Sequence, residues 1–262
     1  MTEREKMLSG ELYDPTDKEL EQLRLNARKL ARKYNLTDED QPEEQAQILQ
    51  ELLPTTEELP YLQAPVYFDY GCNTFFGKFS SANFNFTCLD VGEIHIGDNV
   101  MIGPNVTLAT PMHPLLPEER NIRKREDGSF YNLEYAKPIT IKDNCWLASN
   151  VVVCGGVTIG EGCVIGAGSV VTRDIPPYSL AAGNPCRVIR KITEKDHMPD
   201  GLAYNLLRHS RAARRLRGEA PHGKRDLDHQ ALSRVDQGVP GRARRGTPPT
   251  FCRVAAVRSH GS

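Results

Sequence analysis

A histidine between two prolines is the residue of this chain best suited to acid–base chemistry. His113 lies in the segment ATPMHPLLPEERN, where Pro111 and Pro114 restrict the backbone on both sides of it. A neutral imidazole, with a pKa of about 6.5, can take the proton of an attacking hydroxyl at neutral pH. A solvated loop histidine is the alternative, and the residues of this segment alone favour that alternative.

Arginines follow later in the chain, at Arg173, Arg187 and Arg190. The guanidinium group presents a planar fork of donors that suits a phosphate group. A solvated basic surface is the alternative for these side chains.

A six-residue repeat predicts the scaffold that must position these groups. A period of six matches neither the 3.6-residue period of a helix nor the two-residue period of a strand, so it is a structural repeat. The repeated aliphatic positions are Ile96, Ile102 and Leu108 in a first block and Ile141, Leu147, Val153, Ile159, Ile165 and Val171 in a second.

Two further positions of each repeat explain how the chain turns. A small or apolar residue stands two places before each aliphatic; these residues are Ile94, Val100, Val106, Ile139, Cys145, Val151, Val157, Cys163 and Ser169. Three places after it stands Asn or Gly, which tolerate a positive φ; these residues are Asn99, Asn105, Asn144, Asn150, Gly156, Gly162 and Gly168. Each repeat is therefore a short strand followed by a turn, and three repeats close one coil of a mostly β, parallel β-helix.

Two cysteines allow a check on this coil of three six-residue repeats. Cys145 and Cys163 are 18 residues apart, so they should stack on one interior ladder. We expect small core fillers there, with a disulfide as the less favoured alternative.

Three regions follow along the chain. Residues 1–60 are predicted to be helical: Leu20, Leu23, Ala27, Leu30 and Tyr34 have helical spacing, and a further helix should run from Pro42 to Leu53. Residues 61–195 form the β-helix, and residues 109–138 break its period as an inserted, protruding loop. Residues 196–262 are predicted to be an arginine-rich, disordered tail.

Charge separates this tail from the rest. Residues 1–198 hold 20 basic and 29 acidic residues, whereas residues 199–262 hold 13 basic and 5 acidic ones. We interpret the tail as translation in a different frame or an unrelated fusion; a basic tail that binds nucleic acid or acidic surfaces is the alternative.

The rest of the composition is that of an ordinary soluble protein. The seven cysteines include no CxxC pair, which argues against a zinc ribbon, and no stretch is apolar enough for a signal peptide or a membrane span. We therefore expect a cytoplasmic protein with free thiols and no membrane partner.

Several segments resemble the maltose/galactoside O-acetyltransferases, a group of hexapeptide-repeat acyltransferases. They are LSGELYDPTDKEL, YFDYGCNTFFGKFSSANFNFTCLD, IGDNVMIGPNVTL, HPLLPEERN, LEYAKPITI, CGGVTIGEGCVIGAGSVVTRDIPP and AAGNPCRVIRKI, within residues 1–195. The resemblance implies a left-handed β-helix, a homotrimer with active sites between subunits, and acetyl transfer from acetyl-CoA to a sugar hydroxyl. No metal and no nucleic acid are implied.

The resemblance also assigns roles to residues. It makes His113 the general base of a direct transfer, with Asn83 and Glu134 as the other catalytic residues. The acceptor contacts that it implies are Asp14, Asp17, Arg24, Asp69, Asn83 and Asp90. For each polar residue, a turn or surface role is the alternative.

The CoA contacts that the resemblance implies are Ser149, Ala167, Thr172, Arg173, Arg187 and Arg190. Ser149 belongs to the Trp146-Leu147-Ala148-Ser149 turn, whose backbone N–H would face the thioester oxygen. Many relatives carry Gly at the position of Ala148.

The sequence leaves open the identity of the acceptor and two alternative functions. The acceptor could be maltose, glucose, a galactoside, a lipo-oligosaccharide or a non-sugar such as an antibiotic. A γ-type carbonic anhydrase would need a metal held by histidines such as His95, His113 and His197, which we do not expect to converge. A non-catalytic β-helix scaffold would leave the stiffened histidine loop without a purpose.

Overall fold

The computed structural model describes residues 1–198 of the 262-residue chain. These residues form one unit, and the predictions for the tail from residue 199 onward lie outside them. Three parallel sheets, here called faces A, B and C, stack the repeats into a parallel β-helix of six coils, as the sequence predicted.

Face A is the longest of the three sheets. Its parallel strands are β1 (Tyr61–Leu62), β4 (Ser81–Ala82), β7 (Met101–Ile102), β14 (Trp146–Leu147), β17 (Val164–Ile165) and β19 (Ser179–Ala182). A seventh strand, β20 (Arg187–Lys191), runs antiparallel to β19 and closes this sheet.

Faces B and C complete each coil. Face B contains β2 (Val66–Phe68), β5 (Phe86–Leu89), β8 (Thr107–Ala109), β15 (Val152–Cys154) and β18 (Val170–Val171). Face C contains β3 (Thr74–Phe76), β6 (Ile94–Ile96), β13 (Ile139–Ile141) and β16 (Thr158–Ile159).

The repeat positions take the roles that the sequence assigned to them. Every repeated aliphatic is at most 3% exposed, so these side chains fill the interior of the prism. All seven predicted Asn and Gly positions have a positive φ, from 54° at Asn99 to 86° at Gly156. The interior ladder and the left-handed turns therefore recur together along the coils.

The cysteine ladder is confirmed as core filling. Cys145 and Cys163 are fully buried free thiols. Each donates from Sγ to a carbonyl oxygen at 3.1 Å, Cys145 to Gly160 and Cys163 to Pro176. The disulfide alternative is wrong for this pair.

Three helices precede the coils: α1 (Glu3–Ser9), α2 (Lys18–Leu36) and α3 (Pro42–Leu52). Helices α2 and α3 match the two predicted helices, and the interior of the coils continues into them through Tyr34, Leu52 and Leu53. A second, smaller hydrophobic cluster joins the helical segment to the side of the coils; it consists of Met7, Tyr13, Leu20, Tyr70, Val91 and Ala136.

The insertion has its own secondary structure. Its two ends form an antiparallel pair, β9 (Pro111–Met112) with β12 (Tyr135–Ala136). Between them lie the short helix α4 (Pro117–Arg120) and a hairpin of β10 (Arg123–Lys124) and β11 (Phe130–Tyr131). A 3₁₀ turn, Glu194–Asp196, follows β20. None of the helices in residues 1–198 has the length and apolar character of a membrane-spanning segment.

Candidate functional site

The predicted site residues lie mainly on two edges of the prism. Edge AB consists of the turns from face A to face B, at residues 83–85, 103–106, 148–151 and 166–169; edge BC consists of the turns from face B to face C, at residues 69–73, 90–93, 110–138, 155–157 and 172–174. Asn83, Ser149 and Ala167 lie on edge AB. Edge BC carries Asp69, Asp90, His113, Glu134, Thr172 and Arg173. Within one chain, face B separates the two groups.

The insertion places His113 and Glu134 at the ends of two paired strands. Met112 pairs with Tyr135, and Pro111 pairs with Ala136, in the antiparallel ladder of β9 and β12. The ladder ends at the pair of Met112 and Tyr135, so His113 and Glu134 are the next residue on each strand. His113 is exposed and Glu134 is half-buried.

Glu134 is held from its other side by Tyr13. The backbones of the two residues exchange hydrogen bonds of 2.9 Å and 3.1 Å, and the Tyr13 hydroxyl donates to Glu134 Oε2 at 2.9 Å. Asn132 Nδ2 lies 3.4 Å from the second carboxylate oxygen, Oε1. The carboxylate is thus fixed by a residue 121 positions earlier in the chain.

Asp14, a predicted acceptor contact, is bound to the insertion. Its carboxylate forms an ion pair with Arg125 and accepts hydrogen bonds from the backbone and hydroxyl of Thr16, at 2.9 Å and 2.8 Å. Arg125 also donates to Thr16 Oγ1 at 3.1 Å and lies over the Tyr131 ring, 4.5 Å from its centroid. This contact ties the hairpin to the segment before α2.

Other predicted acceptor contacts already have partners in the protein. Asp17 caps α2, accepting from the N–H of Glu19 at 3.0 Å. Arg24 donates to the Tyr70 hydroxyl and to the Pro15 carbonyl, both at 2.6 Å. These interactions favour structural roles for Asp17 and Arg24. Asp69 accepts from Arg28 at 2.8 Å on edge BC, and its side chain is 15% exposed.

Asp90 lies inside the protein. It is fully buried and accepts hydrogen bonds from the Tyr70 N–H at 2.8 Å and the Thr74 hydroxyl at 3.0 Å. Burial raises the pKa of Asp90 to about 6, against the lowering effect of these hydrogen bonds. Because no part of its side chain reaches the surface, this geometry favours a structural role over the predicted contact with the acceptor.

Asn83 lies at a concavity on edge AB. Its Oδ1 accepts from the N–H of Phe84 at 2.8 Å, which leaves the side-chain NH₂ directed to other partners. The concavity has a volume of about 390 Å³, and Asn83, Met101, Gly103 and Trp146 are among the residues that line it. An amide beside an exposed indole is suited to an extended organic ligand.

The same edge carries two backbone N–H groups that the ladder of the coils does not use. The N–H of Ala148 is used in the ladder, donating to the Ile165 carbonyl at 2.9 Å. The N–H groups of Ser149 and Ala167, one coil apart, make no hydrogen bond within residues 1–198. Neighbouring coils are about 4.8 Å apart, so these two donors form a short polar track along edge AB.

The predicted phosphate ligands are exposed but spread over several positions. Thr172 and Arg173 lie on edge BC, whereas Arg187 pairs with Ala182 at the end of β19, next to edge AB. Arg190 forms a bidentate ion pair with Asp196, with both N–O distances at 2.7 Å. This pairing lowers the pKa of Asp196 to about 2. Arg190 must therefore leave Asp196 before its fork can take a phosphate.

The three histidines within residues 1–198 lie apart. His95 stacks on Phe75 on the outside of face C, with ring centroids 4.6 Å apart, and bonds Glu93 at 2.9 Å. His113 is on edge BC, and His197 follows the 3₁₀ turn. Within residues 1–198, no three His, Cys, Asp or Glu side chains form a group that could hold a metal ion.

Tyr13 and Arg125 are the residues of this site that sequence reasoning missed. Both act through partners more than 100 positions away, and no repeat or motif marks them. One local signal was available: Asp127-Gly128, with Gly128 at φ 85°, is typical of a tight hairpin turn and could have predicted the hairpin that carries Arg125.

Comparison with known proteins agrees with this architecture. Residues 6–57 match a maltose acetyltransferase hexapeptide capping motif, and residues 138–173 match the six-repeat bacterial transferase hexapeptide. The galactoside O-acetyltransferase of Escherichia coli strain K12 is 42% identical over 196 residues, which is 75% of this chain and 91% of that protein.

Two solved structures are similar throughout their length. A maltose O-acetyltransferase from Clostridium difficile 630 has 44% sequence identity and a TM-score of 0.66, and the match covers 74% of this chain and 99% of that one. A galactoside acetyltransferase in complex with coenzyme A has 40% identity and a TM-score of 0.68, over 76% of this chain and 97% of that one.

The fold and these matches define an acyltransferase of the hexapeptide-repeat class. Within that class, the chain belongs to the maltose/galactoside O-acetyltransferase family, which confirms the resemblance found in its sequence.

Proposed function

We propose that this protein transfers an acetyl group from acetyl-CoA to a hydroxyl group of a sugar. The observation that carries the proposal is the ladder of β9 and β12, whose last pair, Met112 with Tyr135, leaves His113 and Glu134 as the next residue on each strand. The maltose and galactoside acetyltransferases among its relatives support a sugar as the acceptor, and the coenzyme A complex of one of them supports the donor.

His113 is the general base of the transfer. Its imidazole takes the proton of the sugar hydroxyl as the oxygen attacks the thioester carbon. The C–S bond then breaks, the sugar ester is released, and CoA leaves as a thiolate that receives the proton from the imidazolium. Glu134 orients the imidazole and stabilises its positive charge, which a carboxylate in contact can do without taking the proton. No acetyl-enzyme forms along this route.

The complete site requires two copies of the chain. His113 and Glu134 are on edge BC, whereas Asn83 and the free N–H groups of Ser149 and Ala167 are on edge AB. Face B lies between these edges within one chain. A cyclic trimer in which edge BC of one subunit meets edge AB of the next would bring the base to the oxyanion donors three times.

CoA then lies in the cleft between neighbouring subunits. The Ser149 N–H stabilises the thioester oxygen as it becomes negative, because a free backbone donor needs no reorganisation during the reaction. The Ala167 N–H, one coil further, binds the pantetheine arm. Thr172, Arg173, Arg187 and Arg190 bind the phosphates, and Arg190 exchanges its Asp196 partner for a phosphate oxygen.

Acceptor contacts come from edge BC and the segment before α2. Asp69 is partly exposed there, and Asp14 reaches the insertion through Arg125. Asn83 of the adjacent subunit can donate its NH₂ group to a sugar oxygen. We assign structural roles in this surface to Asp17, Arg24 and Asp90, which do not contact the acceptor directly.

The test is thiol release from acetyl-CoA across a panel of sugars, with the native protein and His113→Ala in parallel. Native protein should release thiol only when a suitable sugar is present, and His113→Ala should be slower by about 10²- to 10⁴-fold, the usual contribution of a general base. The best sugar identifies the acceptor class.

Two outcomes of this assay would contradict the proposal. Thiol release with an aminoglycoside or another antibiotic, but with no sugar, would point to a non-sugar acceptor. No release with any acceptor from a folded trimer would favour a non-catalytic scaffold. Sedimentation of the native protein measures the trimer separately; a monomer with full activity would contradict the shared site.

A further inference from the structure

The helical segment reaches the candidate base through one side chain. Tyr13 lies between α1 and α2 and pairs with Glu134 in an antiparallel bridge. β9 pairs with β12 from the residue after Glu134 onward, and His113 is the residue after β9. Tyr13, Glu134 and His113 therefore lie at the same end of a small antiparallel arrangement.

Tyr13 is fixed more firmly than either of its neighbours. It is 1% exposed and packs in the cluster of Met7, Leu20, Tyr70 and Ala136, whereas Glu134 is half-buried and His113 is exposed. Burial, with the charge of Glu134 as a further cause, raises the pKa of Tyr13 far above its ordinary value. The hydroxyl therefore keeps its proton and donates to the carboxylate throughout the physiological range.

We propose that Tyr13 is a positioning residue, whose buried hydroxyl fixes the Glu134 carboxylate beside His113 and so makes the helical N-terminal segment part of the acid–base machinery. The proposal rests on the proposed function of His113. A carboxylate can orient an imidazole only if it is itself held in one rotamer, and two of the three anchoring hydrogen bonds of Glu134 to Tyr13 are backbone bonds that do not constrain the side chain.

The test compares Tyr13→Phe, Glu134→Gln and the double variant with the native protein. Tyr13→Phe keeps the ring in its cluster and removes only the hydroxyl. We expect kcat to fall about tenfold, the loss that corresponds to one hydrogen bond to a charged group, while KM for acetyl-CoA stays unchanged.

Glu134→Gln shows whether Tyr13 acts through Glu134. If it does, adding Tyr13→Phe to Glu134→Gln should cause little further loss, because residues that act as a unit are not additive. Losses that multiply in the double variant would overturn the proposal, since Tyr13 would then act independently.

The chain offers a matched control in Tyr34→Phe. Tyr34 is 2% exposed, lies in the same helical segment, and donates its hydroxyl to the Leu62 carbonyl at 2.5 Å, away from edge BC. Its substitution should lower the melting temperature by a similar amount and leave kcat unchanged. An equal loss of kcat in both variants would overturn the proposal in favour of a purely structural role.

A readout that needs no activity separates this proposal from the function on which it rests. The NMR signals of the His113 ring should change position in Tyr13→Phe and stay unchanged in Tyr34→Phe. Arg24 and Tyr70 are the other titratable groups near Tyr13, and both are retained in each variant. Unchanged His113 signals in Tyr13→Phe would overturn the proposal. Changed signals in that variant would support it even if no sugar were acetylated.

Discussion

The coils and the insertion of this protein gain their order in different ways. In the coils, one contact repeats: the nine repeated aliphatics are at most 3% exposed, and a residue with positive φ follows seven of them. In the insertion, single polar contacts fix the chain, namely Tyr13 with Glu134 and Arg125 with Asp14. The repeat therefore supplies rigidity, whereas the proposed base lies where the repeat is interrupted.

The same truncation should therefore have very different effects in the two regions. Leu147 is fully buried in the coils, and Leu115, in the insertion, is 88% exposed. We expect Leu147→Ala to lower the free energy of unfolding by about 2–5 kcal/mol, because it removes core contacts and leaves a cavity. Leu115→Ala should change it by less than about 0.5 kcal/mol. Urea unfolding measures both, and similar losses would contradict the contrast.

Asp90 is a buried carboxyl group within the coils, at the turn before β6. Its pKa of about 6 in the folded protein lies above the ordinary 3.8, so folding favours the protonated form. The stability that this group contributes is present below pH 3.8 and is lost as the pH rises through 6. The difference is on the order of 3 kcal/mol.

Asp90→Asn tests the direction of this pH dependence of stability. The amide oxygen can still accept from the Tyr70 N–H, and the NH₂ group can donate to Thr74. The variant should match the native protein near pH 4 and become the more stable of the two as the pH approaches 7, in urea unfolding followed across that range. A difference in stability between the two proteins that stays constant from pH 4 to pH 7 would show that Asp90 does not titrate in this range.

Substitutions in the turns of the coils should have a smaller effect on the free energy of unfolding. Asn150 has φ 59°, a conformation that costs a residue with a Cβ about 1–2 kcal/mol unless it is Asn or Asp. Asn150→Ala should lower the free energy of unfolding by about 1 kcal/mol, whereas Asn150→Gly should leave it nearly unchanged. Thermal unfolding of the two variants checks this prediction, and an equally destabilised glycine variant would indicate that the amide, not the φ angle, matters.

The sequence predicted the coils well because their physics repeats. A single position such as Val153 says little, but nine aliphatics at one interval together with Asn or Gly at a fixed offset define strand, turn and interior. The hexad also predicted an interior ladder at Cys145 and Cys163. It did not predict the positive φ of Phe79 and Tyr178, since neither residue is typical of that conformation.

The site was less predictable because its contacts do not repeat along the chain. His113 and Glu134 lie one residue beyond the antiparallel pairs of β9 and β12, and no periodicity encodes the register of those strands. Asp90 was assigned to the acceptor site, although a carboxylate in the sequence carries no mark of its burial. Tyr13 is an ordinary tyrosine in the sequence, and its role depends on a contact that only folding creates.

Arg125 allows the finest test of the comparison. Its guanidinium is partly exposed, so the ion pair with Asp14 contributes less than about 1 kcal/mol to stability. Arg125→Met keeps much of the length of the side chain over the Tyr131 ring and removes the donors to Asp14 and Thr16. We expect an unchanged melting temperature but a several-fold higher KM for the sugar, because the hairpin loses its fixed position beside the acceptor surface.

A matched control for Arg125→Met is Arg28→Met, which removes a similar exposed ion pair, with Asp69, from α2. If edge BC binds the acceptor through Asp69, this control should also raise KM for the sugar, without affecting the hairpin. Hydrogen exchange of the amides between Arg123 and Tyr131 separates the two mechanisms, since only Arg125→Met should accelerate it. Unchanged exchange in both variants would show that the rest of the insertion, and not this ion pair, orders the hairpin.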